Sequence, residues 1–361
     1  MIDRAFWKGR KVFLTGHTGF KGGWASLLLH SLGAKVVGFS LPADSGDALF
    51  NVAGIGEMVE HHVGDIRDAE GLRSALENAQ PSTVIHMAAQ ALVRRSYHDP
   101  VETYATNVMG TVHLLDAVRH VPGIEAVVVV TSDKCYENVG SIWGYRETDP
   151  MGGHDPYSNS KGCAELVTAS YRRSFFHSNG APHIASARAG NVIGGGDWSS
   201  DRLIPDAMRA FLAGETLHIR NPAAVRPWQH VIDPVVGYLL LTEKLVAEGI
   251  SVAEGWNFGP AAASAVPVSQ IIEQLVSLWG GSARWSHDHA EHPHEAAYLK
   301  LDCSKAELRL GWQPRIDIDA ALRLTVEWYR AFRQGADMRA TSLRQIEHCL
   351  GRATEPSEAA A

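Results

Sequence analysis

Residues 15–22 read Thr15-Gly16-His17-Thr18-Gly19-Phe20-Lys21-Gly22, directly after the apolar run KVFLT at 11–15. Three glycines spaced by three residues stand between a strand pattern and a helix pattern that Gly33 ends. Glycine permits positive φ and removes the Cβ that would hold an incoming group away from the backbone. The helix N-terminus beyond it offers free N–H donors and a partial positive charge, which suits phosphate. Three glycines alone are weak evidence. Their place between a first strand and a first helix is what dinucleotide binding requires.

Working outward, further strand patterns fall at 35–39, near Val63, and at 83–87, 127–130 and 183–187. Helical segments lie between them, and two open with Asp-Pro, at Asp99-Pro100 and Asp155-Pro156. Asp as N-cap followed by Pro is a sound helix start. This alternation implies an α/β chain with a Rossmann-type doubly wound parallel sheet. Past residue 188 the segments are rich in Gly, Pro, Trp and Arg, which predicts a smaller, mixed C-terminal substrate domain. The expected division is a cofactor-binding domain at 1–187 with a returning segment around 231–258. A mainly substrate-binding part would cover 188–350, and a mobile tail 351–361.

The composition is ordinary for a globular protein: 361 residues, 45% hydrophobic and 20% charged. A net charge of -7 argues against broad nucleic-acid binding but leaves room for an anionic small ligand. No apolar run reaches the roughly 18 residues that cross a bilayer, so no membrane partner is expected. The first residues, MIDRAFWKGRKVFLTG, lack a signal-peptide layout, and Cys135, Cys163, Cys303 and Cys349 show no metal or disulfide spacing. A reducing cytoplasm is the expected setting.

The cofactor expected at the turn is NAD. The second strand ends at Ser40, with Asp44 nearby and no Arg or Lys to meet a 2′-phosphate. The cradle would comprise Gly16, Thr18, Gly19, Phe20, Lys21, Gly22 and Ser40, with Asp65 and Ile66 after the third strand. Ala88, Ala89 and Gln90 after the fourth would complete it.

Tyr157-Ser158-Asn159-Ser160-Lys161 sets a phenol and an amine four residues apart, on one helix face. A phenol titrates near 10 and is a poor base at neutral pH. An ammonium and an oxidised nicotinamide beside it both favour the phenolate. In this chain the pair follows a nucleotide turn and several βα units. Through TGHTGFKG, TSDKCYEN, YSNSK, AGNVIGGGDW and RPWQHVID, the sequence resembles the extended short-chain dehydrogenases/reductases that act on nucleotide sugars, and among them the 4,6-dehydratases. Ser40 departs from the wider family, where many relatives carry Asp.

That resemblance explains the stretch after the valines 127–130. Oxidation at C4 of a sugar needs Tyr157, Lys161 and a hydroxyl such as Ser132. A 4,6-dehydration also needs a base for the C5 proton and an acid for the departing C6 hydroxyl, and by position these are Lys134 and Asp133. Adjacent carboxylate and ammonium stabilise each other ionised, whereas both roles need neutral groups. Burial under substrate disfavours both charges and lets the pair share a proton. The backbone must also leave strand geometry here, because strand neighbours point to opposite faces. The implied ligand is CDP-glucose or a related nucleotide sugar.

On the substrate side, Gln90 and Arg94 are expected at the sugar, with Val93 beside them. Arg188 and Asn191 match a family segment in which the Asn approaches the nucleotide sugar, and His230 belongs to RPWQH. Arg226 is the better candidate for the diphosphate and Arg202 the weaker. The run His287 to Glu295 carries four His near three carboxylates, yet the chemistry needs no metal. No metal is expected; a His-rich polar loop before the strand-like YLKLD is the plainer account, with a border on the nucleotide as its alternative role. The resemblance implies a homodimer or higher homo-oligomer built on the helices after Asp99 and Asp155. Another nucleotide-sugar 4,6-dehydratase, a 4-epimerase or a reductase of the same family is the alternative activity. A non-enzymatic cofactor sensor would show a broken Tyr/Lys pair, and this one is intact.

Overall fold

The computed structural model describes residues 2–178, 180–288 and 299–351. Its centre is a seven-stranded parallel sheet: β1 (Lys11–Thr15), β2 (Lys35–Ser40), β3 (Glu60–Val63), β4 (Thr83–His86), β5 (Ala126–Val130), β6 (His183–Arg188) and β7 (Gly255–Asn257). They lie in the order β7-β6-β5-β4-β1-β2-β3, so the order reverses between β1 and β4. In such sheets ligands bind at that switch point, beyond the carboxyl ends of the strands.

Burial explains the strand sequences. All five residues of β5 are buried, as expected of an inner parallel strand covered on both faces, whereas β3 is an exposed edge. Helix α1 (Phe20–Ser31) returns from β1, and α2 (Ala69–Ala79) starts on the Asp68 carboxylate, which accepts from Gly71 N. Helix α3 spans 100–118 through a π turn at Ala105–Met109. Within that turn, Asn107 bonds both backbone polar groups of Gln90 and the Ser160 hydroxyl. Helix α4 (Pro156–Phe175) begins on Asp155, which accepts from Ser158 N at 2.9 Å.

The remaining chain adds helices and short strands around the sheet. Helix α5 (Leu203–Ala213) leads into Thr216–Ile219, which pairs in parallel with Arg284–His287. Helix α6 (Ile232–Glu248) crosses back under β5 and β6 before β7 joins the sheet. Two late helices, α7 (Ile318–Arg333) and α8 (Met338–Gly351), close the structure. Helix α8 includes Gly351, and the rest of the expected tail, 352–361, lies outside the described residues. No described helix is long and apolar enough to cross a membrane.

Candidate active site

Strand β5 stops at Val130, and Thr131 N still bonds Ala187 O at 2.8 Å. Ser132 then caps a 3-10 turn, Asp133–Cys135, accepting from Lys134 N and donating to Asp133 Oδ1 at 3.0 Å. The turn takes residues 133 and 134 off strand geometry, so both side chains line one cavity with Ser132 and Tyr157. Asp133 is only 1% exposed, and among the described residues its Oδ2 has no hydrogen-bond partner. Lys134 is half-buried.

Tyr157 and Lys161 stand one turn apart on α4, and both are buried. Burial pushes the Tyr157 phenol up to about 12, against the opposing pull of a Ser132 hydrogen bond and the Arg202 charge. The expected depression of this phenol is therefore not a property of the protein alone. The cation that pulls it down is Arg202, whereas Lys161 donates to Val130 O at 3.4 Å. Burial brings the Lys161 ammonium down to about 8.

A network beneath holds these groups in place. Glu165, one turn beyond Lys161, accepts from Thr131, Ser186 and Arg188. Burial alone would neutralise Glu165, but Arg188 and the two hydroxyls keep its carboxyl below the usual range. Arg188 also donates to the Tyr136 hydroxyl at 2.6 Å. It is thus a brace between α4, β5 and β6, away from the cavity lining.

The glycine turn fits a dinucleotide. Gly16 has φ +77, and a Cβ there would stand 2.7 Å from Ala88 N. A Cβ on Gly22 would stand 2.0 Å from Gly16 O. Gly19, the N-cap of α1, faces only Gly16 O at 3.4 Å, so the backbone lies open where a pyrophosphate would rest. Ser40 shares a 2.8 Å hydrogen bond with Thr18 at the end of β2. Phe20 and Lys21 line the cavity that holds Tyr157. Ala88 and Ala89 follow β4, and Ala88 lies against Gly16 of this turn. Asp65 is paired with Arg67, which holds its carboxyl below the usual range. The Ile66 side chain is core, filling the space over Gly110.

On the substrate side, Arg94, Asn191, Arg202 and Arg226 line the cavity, as does Val93. Two expected residues do not. The Gln90 amide is tied off on Leu92 and Thr103, so it braces its own loop. His230 is fully buried against Trp24, with its imidazole pushed down to about 3 by burial, too deep to meet a sugar. Sequence reasoning missed Asp197, Asp201 and Arg220, which also line the cavity. Asp197 pairs with Arg202 at 3.0 Å, and Asp201 bridges Arg94 and Arg220. Asp201 and Asn191 hold left-handed backbones at φ 60 and 44, a strain that often marks function but is invisible in sequence.

Among the described residues no cluster of three or more His, Cys, Asp or Glu is placed to hold a metal. Of the His-rich run, His287 and Asp288 are described, while 289–298 lie outside the described residues.

A Rossmann-type sheet with a glycine turn, and a Tyr/Lys helix aimed at its carboxyl edge, defines an extended short-chain dehydrogenase/reductase. The chain belongs to the GDP-mannose 4,6 dehydratase family, whose model matches residues 13–325. It is 53% identical to the CDP-glucose 4,6-dehydratase of Salmonella typhimurium, over 98% of this chain and 100% of that one. It is also 29% identical to a dTDP-glucose 4,6-dehydratase of Xanthomonas campestris, over 88% of this chain and 92% of the relative. Among solved structures, the dTDP-glucose 4,6-dehydratase of Streptomyces venezuelae with NAD and DAU bound matches at a TM-score of 0.76 and 26% identity, covering 91% of this chain and 99% of that one. The UDP-glucose 4-epimerase of Thermotoga maritima, at 22% identity and a TM-score of 0.77, shares the fold; the match covers 89% of this chain and 99% of that one.

Proposed function

We propose that the protein converts CDP-D-glucose to CDP-4-keto-6-deoxy-D-glucose and water, with NAD as a recycled cofactor. The observation that carries this reading is the joint presence of Asp133 and Lys134 in the cavity of Tyr157 and Ser132. Oxidation and reduction alone would not use that pair. The 53% identical relative supports the nucleotide sugar.

NAD, when bound, supplies the acceptor and later the donor of the hydride. Tyr157 takes the C4 hydroxyl proton, with Ser132 holding the oxygen. The C4 ketone acidifies the C5 proton, which the Lys134 amine accepts. Asp133, in its protonated form, donates to the C6 hydroxyl, and water leaves. Arg94, Arg202, Arg220 and Arg226 surround the cavity with charge suited to a diphosphate. Asn191 lines the same cavity, which supports a contact with the sugar.

The test is product identification by NMR from a panel of nucleotide sugars, with deuterium uptake at C5 from heavy water. Uptake with loss of the C6 hydroxyl supports the reading. Turnover at C4 without uptake at C5 would make the protein an epimerase or a simple redox enzyme.

The same reading takes 1–187 with the returning 231–258 as the cofactor part, and 188–350 as mainly the substrate part. The pairing of β7 with β6 supports the return. It also includes a homodimer, supported by apolar residues left exposed on α3 and α4: Val101, Met109 and Leu166. A cytoplasmic setting accords with four cysteines that form no disulfide.

A further inference from the structure

We propose that Asp201 is a stand-in anion: it holds Arg94 and Arg220 at the cavity until the diphosphate of a nucleotide sugar takes both arginines from it. This rests on the nucleotide-sugar reading and adds to it a residue that sets how tightly the diphosphate is held.

Three separate parts of the chain meet here. Arg94 lies on the short helix Val93–His98 after β4, Asp201 in the loop before α5, and Arg220 directly after the strand Thr216–Ile219. All three line the cavity that holds Tyr157. Arg94 Nη1 stands 3.3 Å, and Arg220 Nη1 3.5 Å, from the same oxygen, Asp201 Oδ1. Two like charges beside one cavity repel each other, and a shared carboxylate oxygen relieves them.

Among the described residues four carboxylates line the cavity, and the other three are held differently. Asp133 is buried and accepts from Ser132. Asp197, also buried, accepts from Arg202 at 3.0 Å and from Ser199 N at 3.1 Å. Asp206 is paired with Arg209 on its own helix. Asp201 is instead divided between two cations through one oxygen, at distances beyond the roughly 2.7–2.9 Å of a strong charge-assisted pair. Its side chain is 42% exposed, so water screens both contacts.

A diphosphate offers each guanidinium its own pair of oxygens, with two negative charges in place of one. The exchange therefore favours the ligand, and as product leaves Asp201 takes the arginines back. The same contrast sorts the arginines of the cavity. Arg202 is committed to a buried carboxylate, whereas Arg94 and Arg220 share a loosely bound one and are those a diphosphate can recruit.

The test is calorimetric titration of NAD-loaded enzyme with CDP, inorganic pyrophosphate and cytidine. The variants are Asp201→Asn, the pair Arg94→Met with Arg220→Met, and all three changes together. Asparagine accepts the left-handed backbone at residue 201, φ 60, so the first change removes charge and little else. Asp201→Asn is expected to bind CDP and pyrophosphate about 2–30-fold more tightly, since two exposed ion pairs no longer compete, while cytidine affinity stays the same. The gain should vanish when both arginines are methionine. A carboxylate that only stapled the three segments together would do the reverse, so unchanged or weaker CDP and pyrophosphate binding in Asp201→Asn overturns the proposal. An equal gain from Asp206→Asn, or a gain that survives loss of both arginines, overturns it as well, by reducing the effect to general charge. A wild-type protein that makes no keto-deoxy product from CDP-glucose overturns the dehydratase reading instead, and a pyrophosphate gain in Asp201→Asn would still establish the exchange.

Discussion

The Asp133 carboxylate rests on the bare α-carbon of Gly190: a Cβ at that position would stand 1.9 Å from Oδ2 and 2.0 Å from Cγ. Gly190 follows β6, and Asp133 follows β5, so the neighbouring strand sets where the proposed acid points. The φ of Gly190 is unremarkable; space, not backbone freedom, demands glycine here.

Gly190→Ala should therefore displace the Asp133 side chain while leaving the Rossmann sheet folded. A misplacement of roughly 1 Å can cost about 10²-fold in rate, and a loss of that size is expected in dehydration. Reduced cofactor should form normally and persist. Full activity in the alanine variant would show that Asp133 has no set position to lose.

Removing the Ser132 hydroxyl takes away one of the two influences that oppose burial at Tyr157. Ser132→Ala should thus raise the phenol further and shift the kcat/KM profile toward higher pH. Tyr157→Phe, with no proton to exchange, should lose about 10²–10⁴-fold. Spectrophotometric titration of tyrosinate and single-turnover cofactor reduction together check both. An unshifted profile in Ser132→Ala would sever the two residues.

Acid should destabilise the fold through buried imidazoles. Burial lowers His17, His86 and His230 to about 3 in the folded state, from 6.5. Unfolded chains bind more protons than folded ones in that window, so stability present above 6.5 is lost as pH falls toward 3. Asp233, raised to about 7 chiefly by burial, acts oppositely: its contribution is lost as pH rises from 3.8 through about 7. Three groups outweigh one, and the melting temperature should decline from about pH 6.5 downward. A flat profile between about pH 6.5 and 5 would contradict the burial of these rings.

A charge placed on the exposed face of α4 should separate the proposed dimer. Leu166 is 59% exposed and Val101 on α3 is 78% exposed. Leu166→Glu and Val101→Glu are expected to sediment as monomers at concentrations where the unaltered protein is dimeric. If the unaltered protein is itself a monomer, those helices need another explanation.

The placement of functional groups was legible in part. The π turn of α3 left no trace in the residues around Asn107, whose partners there, Gln90 and Ser160, belong to other elements. Lys21 looked like part of a phosphate cradle, since sequence position says nothing of where a long side chain turns. His230 looked available because the ring it packs against, Trp24, is distant from it in sequence, and Gln90 because the fold of its own loop, which turns its amide onto Leu92 and Thr103, is not written in the residue order.

What the chain determined by itself is local chemistry: the period of its strands and helices, the glycines where a backbone must approach a ligand, and a phenol and amine one turn apart. Those are properties of neighbours, and neighbours are written in order. Tertiary structure alone decided which polar groups meet, placing Gly190 beneath Asp133, Arg202 beside Tyr157 and Lys21 in the cavity. The reason is physical: burial and charge act through space, and the residues that supply them come from strands and helices far apart along the chain.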